Sequence, residues 1–213
     1  MKIQELVFPT AWDVNAIFKR FEKENAATLV VEFPGAHYST ELPLFHYTRK
    51  LAFQFGFDVL SLEYGYQSAR LKPEMNDQLI ESIVTDLELA FNTLDIQKYK
   101  QVIFLSKSLG TCIAGLLDER LRMDVKHIFL TPIAKTIPFI NEHNCLVVTG
   151  TEDPVFTETE RSQISGARLL VIDGANHGLE LQDAMKSLEV MIGILEQVDR
   201  YYAELSGEAE DQE

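Results

Sequence analysis

The chain has 213 residues, 46% apolar and 24% charged, a globular composition that excludes a collagen, a coiled coil, a disordered chain and a disulfide scaffold. At this length folding buries roughly 70% of the unfolded surface, enough for one core, so a single domain over residues 1–203 is expected. The net charge of −14 argues against nucleic acid or an anionic membrane surface as partner.

The N-terminal segment has two readings. Residues 3–8 fit an edge strand, whereas Trp12, Val14, Ile17, Phe18 and Phe21 fall at the spacing of a helix stripe. Met1 to Pro9 carries one base, then an acid, and too short an apolar run for a secretory signal. From there, β-branched apolar runs at 28–33, 57–62, 101–105, 127–130, 145–149 and 168–172 lack alternation. Strands buried on both faces, as in a parallel sheet, have this character.

Between the runs the period lengthens. Leu44, Thr48, Leu51, Ala52 and Phe55 share a helix face that Pro43 opens and Gly56 closes. Leu79, Ile80, Ile83, Val84, Leu87, Ala90, Phe91 and Leu94 mark a longer helix, and Leu109, Ile113, Leu116 and Leu117 another. The last stripe runs through Leu181, Ala184, Met185, Leu188, Met191, Ile192, Leu195 and Val198. Repeated strand–helix–strand units predict an α/β fold: a mainly parallel sheet of six to seven strands with helices on both faces. Residues 204–213 hold five acids and no base, and read as a flexible acidic tail.

No run approaches the ~18 apolar residues of a membrane helix. Cys112 and Cys145 make no metal spacing and lie in apolar company, which reads as two reduced, buried thiols in a cytoplasmic protein. No GxGxxG, Walker, HExxH or EF-hand pattern occurs, so neither a nucleotide nor a metal cofactor is expected.

Open α/β sheets place their chemistry beyond the carboxyl ends of the strands. There the chain sets Pro34-Gly35-Ala36-His37-Tyr38, then Glu63-Tyr64-Gly65-Tyr66, then Ser106-Lys107-Ser108-Leu109-Gly110. The later runs lead into Gly150-Thr151-Glu152-Asp153-Pro154 and Asp173-Gly174-Ala175-Asn176-His177-Gly178. A hydroxyl, a carboxylate and an imidazole thus reach one edge. Ser108 sits where a strand turns abruptly into a helix, flanked two residues away by the small Ser106 and Gly110. Such a turn projects its side chain from the sheet, beside a helix N-terminus that favours developing negative charge.

With these motifs the sequence resembles the α/β-hydrolase superfamily over residues 28–198, and among its members the small lidless dienelactone hydrolases and short-chain carboxylesterases. The elbow small-x-Ser-x-Gly is matched by Ser106-Lys107-Ser108-Leu109-Gly110, the acid by Asp153, the histidine loop by Asn176-His177-Gly178 and the oxyanion loop by Pro34-Gly35-Ala36. Three departures stand out: Ser106 in place of glycine, Pro34-Gly35 in place of His-Gly, and N-terminal strands that read as short or partly missing.

The resemblance implies Ser108 as nucleophile, His177 as general base and then acid, and Asp153 as the group that orients the imidazole. Glu152 is the rival acid, and Asp173 reads as a turn cap. The backbone N–H groups of Ala36 and Leu109 would form the oxyanion hole. His37, Tyr38 and Tyr64 are candidate substrate contacts, with Tyr66 in the same group. Lys107 reads as a packing or ion-pair residue turned away from the site, and His46, His127 and His143 as structural. The short stretch between residues 131 and 145 leaves no room for a cap domain. The expected activity is a cofactor-free serine hydrolase of small carboxylic esters or thioesters. The alternatives are a non-catalytic small-ligand binding protein, or a peptidase or acyltransferase on the same residues.

Overall fold

The computed structural model describes residues 1–207 and shows one eight-stranded sheet. In chain order its strands are β1 (Lys2–Pro9), β2 (Asn15–Glu22), β3 (Thr28–Phe33), β4 (Asp58–Ser61), β5 (Gln101–Lys107), β6 (Val125–Leu130), β7 (Leu146–Gly150) and β8 (Arg168–Ile172). They lie in the order β1-β2-β4-β3-β5-β6-β7-β8. β2 is antiparallel to both its neighbours, and every pair from β4 to β8 is parallel.

The helices are α1 (Pro43–Gln54), α2 (Gly65–Ser68), α3 (Asp77–Phe91), α4 (Leu109–Leu121), α5 (Ile137–Glu142), α6 (Glu158–Arg161) and α7 (Ala184–Ser206). Leu29, Val31, Phe33 and Phe104 pack toward α3 and α4. Val30, Ile103, Leu105 and Val148 face the other way, toward α1 and α7. A run without alternation in sequence therefore still divides residue by residue between two apolar layers.

The sheet has two more strands than the six apolar runs suggest, because residues 2–22 form a hairpin. Neither of its strands is short. Of the residues that mimic a helix stripe, Trp12 and Val14 precede β2; within it Phe18 joins the α3/α4 layer, Phe21 joins the α1/α7 layer on the other side, and Ile17 is exposed. A two-faced strand can imitate the i, i+3, i+4 spacing of a helix. β1 is an edge strand with Ile3 and Val7 exposed.

α7 corrects two expectations. It continues through Ser206, with Glu204 paired to Arg168 at 2.8 Å, so the expected tail does not begin at residue 204. Residues 208–213, the remainder of that tail, lie outside the described residues. The expected apolar stripe is also misplaced: of its members Val198 enters the core, together with Ile194 and Tyr202 from outside the stripe, while Met185, Leu188 and Ile192 face solvent about a third of a turn away.

Between β6 and β7 the chain makes only a short 3-10 turn and α5, and no cap domain is inserted. Both cysteines are free and buried, and burial pushes their thiols up, to about 11 for Cys112 and about 12 for Cys145. Among the described residues no helix is long and apolar enough to cross a membrane.

Candidate active site

Ser108 stands between β5 and α4 with φ 52° and ψ −120°, a backbone conformation that L side chains rarely adopt. It persists because neighbours fix it from both sides. The Ser108 N–H donates to Leu130 O at 3.0 Å, and its carbonyl accepts from Thr111 N and Thr111 Oγ1. A Cβ at Gly110 would fall 2.5 Å from the carbonyl oxygens of both Phe33 and Pro34, so only glycine lets α4 approach the end of β3. Ser106 is tolerated at the other small position because its hydroxyl donates to Ile128 O on β6.

His177 meets this serine, with Nε2 2.8 Å from Ser108 Oγ. Its Nδ1 lies 2.8 Å and 3.0 Å from the two carboxylate oxygens of Asp153. Three strand ends, β5, β7 and β8, thus deliver one side chain each to a continuous chain of hydrogen bonds. The histidine loop can reach β7 because Gly150 is bare: a Cβ there would lie 2.0 Å from Ala175 O. Asn176 shapes the loop as an Asx turn, its Oδ1 accepting from Gly178 N at 2.7 Å and Glu180 N at 3.2 Å.

Asp153, and not Glu152, is the carboxylate at His177; Glu152 is exposed. Burial alone would raise the Asp153 carboxyl. The His177 bond and the N–H groups of Val155 and Phe156 outweigh it and hold Asp153 below the usual carboxylate range. Asp173 does not cap its own turn, contrary to expectation: its carboxylate accepts from Thr151 Oγ1 at 3.2 Å, and that hydroxyl oxygen accepts from Gly174 N at 2.7 Å.

The loop after β3 packs on the elbow. A Cβ at Gly35 would be 3.4 Å from Ser108 Cβ, which places Ala36 beside the serine. Among the described residues, the N–H groups of Ala36 and Leu109 donate to no protein acceptor. Three side chains around α2 hold this loop by its carbonyls: Tyr64 OH to Pro34 O, Tyr66 OH to Ala36 O and Gln67 Nε2 to Gly35 O. Tyr64 is 1% exposed, so it supports the loop from beneath and does not line the cleft at His37, contrary to expectation. Tyr66 is buried likewise. Tyr38 is half-buried, its hydroxyl accepting from Leu44 N. His37 is exposed at the rim of a cleft of about 390 Å³ that Lys19, Pro34, Glu41, Glu63 and Gln67 also line, alongside the loop and without Ser108.

Two further residues hold the loops around the site: Lys107, which turns toward it and not away as expected, and Arg161, which the sequence reading did not single out. Lys107 forms no ion pair among the described residues. It is buried, donates to Thr131 Oγ1 at 2.7 Å and to the carbonyl of His177 at 2.9 Å, and lies 4.9 Å from the Tyr38 ring centroid. Burial pushes it down to about 8, against a partial upward pull from Asp153 and Glu180. Arg161 is buried beneath the acid loop and donates from Nη1 to Gly150 O at 2.9 Å and Phe156 O at 3.0 Å. α6 begins at Glu158, where Thr157 and Glu160 form a capping box.

No family model and no curated protein matches the sequence. Solved structures do match. A dienelactone hydrolase from Anabaena variabilis superposes with a TM-score of 0.71 at 17% identity, covering 96% of this chain and 99% of its own. The chain has the α/β-hydrolase fold. An α/β serine hydrolase homologue from Coxiella burnetii gives 0.70 at 13% identity, over 94% and 98% of the two chains. A lidless α/β serine hydrolase from Xanthomonas campestris gives 0.66 at 12%, over 95% of each. The α/β-hydrolase fold thus extends over residues 2–22 as well, beyond the span where the motifs carry the resemblance.

Proposed function

We propose that the protein is a serine hydrolase of small carboxylic esters or thioesters, acting through an acyl-enzyme on Ser108. The observation that carries the reading is the unbroken relay from Ser108 Oγ through the His177 ring to Asp153, with both links at 2.8 Å. His177 takes the serine proton as Oγ attacks the acyl carbonyl, and returns it to the leaving group. Asp153 keeps Nδ1–H in place and offsets the imidazolium charge. The unengaged N–H groups of Ala36 and Leu109 receive the oxyanion; one such donor is typically worth ~3 kcal/mol. Water, activated by His177, then releases the acid.

The short connection between β6 and β7 favours small substrates over long lipids. The cleft at His37 offers room for one end of the ester, with His37 and Tyr38 as contacts. The dienelactone hydrolase among the similar folds supports a carboxylic ester. Buried thiols support a cytoplasmic setting, and the acidic surface supports a small-molecule substrate over nucleic acid or membrane.

A fluorophosphonate probe should label the wild type and leave Ser108→Ala unlabelled. His177→Ala should lose p-nitrophenyl acetate turnover by several orders of magnitude. Equal labelling of wild type and Ser108→Ala would overturn the reading. Turnover absent across an ester and thioester panel, together with ligand-dependent thermal stabilisation, would point to the binding-protein alternative.

A further inference from the structure

Toward the amino ends of β6 and β7, the end of the strands away from Ser108, three side chains from separate segments converge. Asp118 projects from the last turns of α4, His127 from the first half of β6, and His143 from the link between α5 and β7. His127 Nε2 lies 3.0 Å from Asp118 Oδ2, and His143 Nε2 lies 3.6 Å from the same oxygen. The three potential ligand atoms all fall within 4.8 Å of one another.

We propose that Asp118, His127 and His143 bind one divalent transition-metal ion of the zinc type. With metal–ligand bonds of 2.0–2.1 Å, neighbouring ligands of a tetrahedral ion stand about 3.3 Å apart, and the two measured separations bracket that value. A small movement of the His143 ring closes the set. Hydrogen bonding accounts for the Asp118–His127 contact alone. It leaves a second imidazole nitrogen aimed at an oxygen already taken, just beyond bonding distance.

Packing fixes the His127 ring. His127 stacks on Phe129 with centroids 4.8 Å apart and 14° between planes, and meets Phe104 edge-on at 5.7 Å. Its Nδ1 is buried without a partner, so aromatic packing, and no bond to the far nitrogen, fixes the ring. The His143 side chain is 31% exposed, which leaves an entry path and a fourth position for water. Two imidazoles and one carboxylate select zinc, copper or nickel over magnesium and calcium, which prefer all-oxygen sites.

The test is calorimetric titration of the chelator-stripped protein with ZnCl2 and MgCl2, followed by thermal denaturation. One equivalent of zinc should bind saturably and raise Tm, and magnesium should do neither. His143→Ala should weaken zinc binding at least tenfold and remove the Tm rise. His143→Gln, which retains a hydrogen-bond donor toward Asp118, should do the same, and it gives the reading by itself if the alanine variant misfolds. The absence of stoichiometric binding at micromolar zinc would overturn the proposal. So would zinc binding that the His143 variants leave unchanged.

Discussion

Asp153 spends its two oxygens on three donors, the His177 ring and the N–H groups of Val155 and Phe156. Asparagine at this position would keep the shape but present an amide to one of those N–H groups or to Nδ1–H, and the imidazole would lose its fixed tautomer. Asp153→Asn should therefore lower kcat toward small esters by about 10³–10⁴, with Tm shifting little, as steady-state kinetics and calorimetry would register. Gly110→Ala tests the elbow in a different way. The added methyl must displace two carbonyl oxygens that lead into the oxyanion loop. A stability loss of about 1–3 kcal/mol and a fall in kcat larger than the change in KM are the expected outcomes.

At the level of elements, buried charges fasten loops to strands. Glu32 on β3 is fully buried, which raises its carboxyl above the usual range, and Arg49 from α1 offsets only part of that rise. Arg49 Nη2 donates to Glu32 Oε2 at 2.7 Å and to Thr40 O at 2.6 Å, so α1, β3 and the loop between them share one guanidinium. Ser61 on β4 also donates to Glu32. Arg49→Met strands the acid and should cost about 3–5 kcal/mol in urea unfolding. Lys107 on β5 carries a pH signature. Its folded value of about 8 lies below the ~10.4 of a free lysine, so between the two the unfolded chain holds more protons. Stability contributed by this group therefore rises as pH climbs through that window and is absent below it. Comparing urea midpoints at pH 7 and 10, wild type should gain on Lys107→Met at the higher pH; a constant gap would contradict the buried, proton-poor lysine.

Over the whole molecule, the parallel strands were legible because burial on both faces leaves unbroken apolar runs, and the cluster of Ser108, Asp153 and His177 because each member follows such a run. The β1–β2 hairpin was ambiguous for the converse reason: β1 is largely solvated, and β2 serves two layers at once. Tyr64 was misplaced because its position after β4 says nothing about which way the loop at residues 34–42 folds over it. Lys107 and Arg161 act through backbone carbonyls of distant segments, and carbonyls carry no residue identity for a reading of sequence to catch. Asp118, His127 and His143 share no motif spacing, and only the return of β6 and β7 beside α4 brings them together.

With only a brief crossing from β6 to β7, the His177 side chain is 28% exposed, and no inserted segment between those strands covers it. An acyl group parked on the serine would face bulk solvent, so any dissolved alcohol competes with water in proportion to its abundance. In methanol–water mixtures the product should divide between free acid and methyl ester as the solvent is varied. Choice of acceptor would then follow the medium, since the fold supplies no door to enforce it.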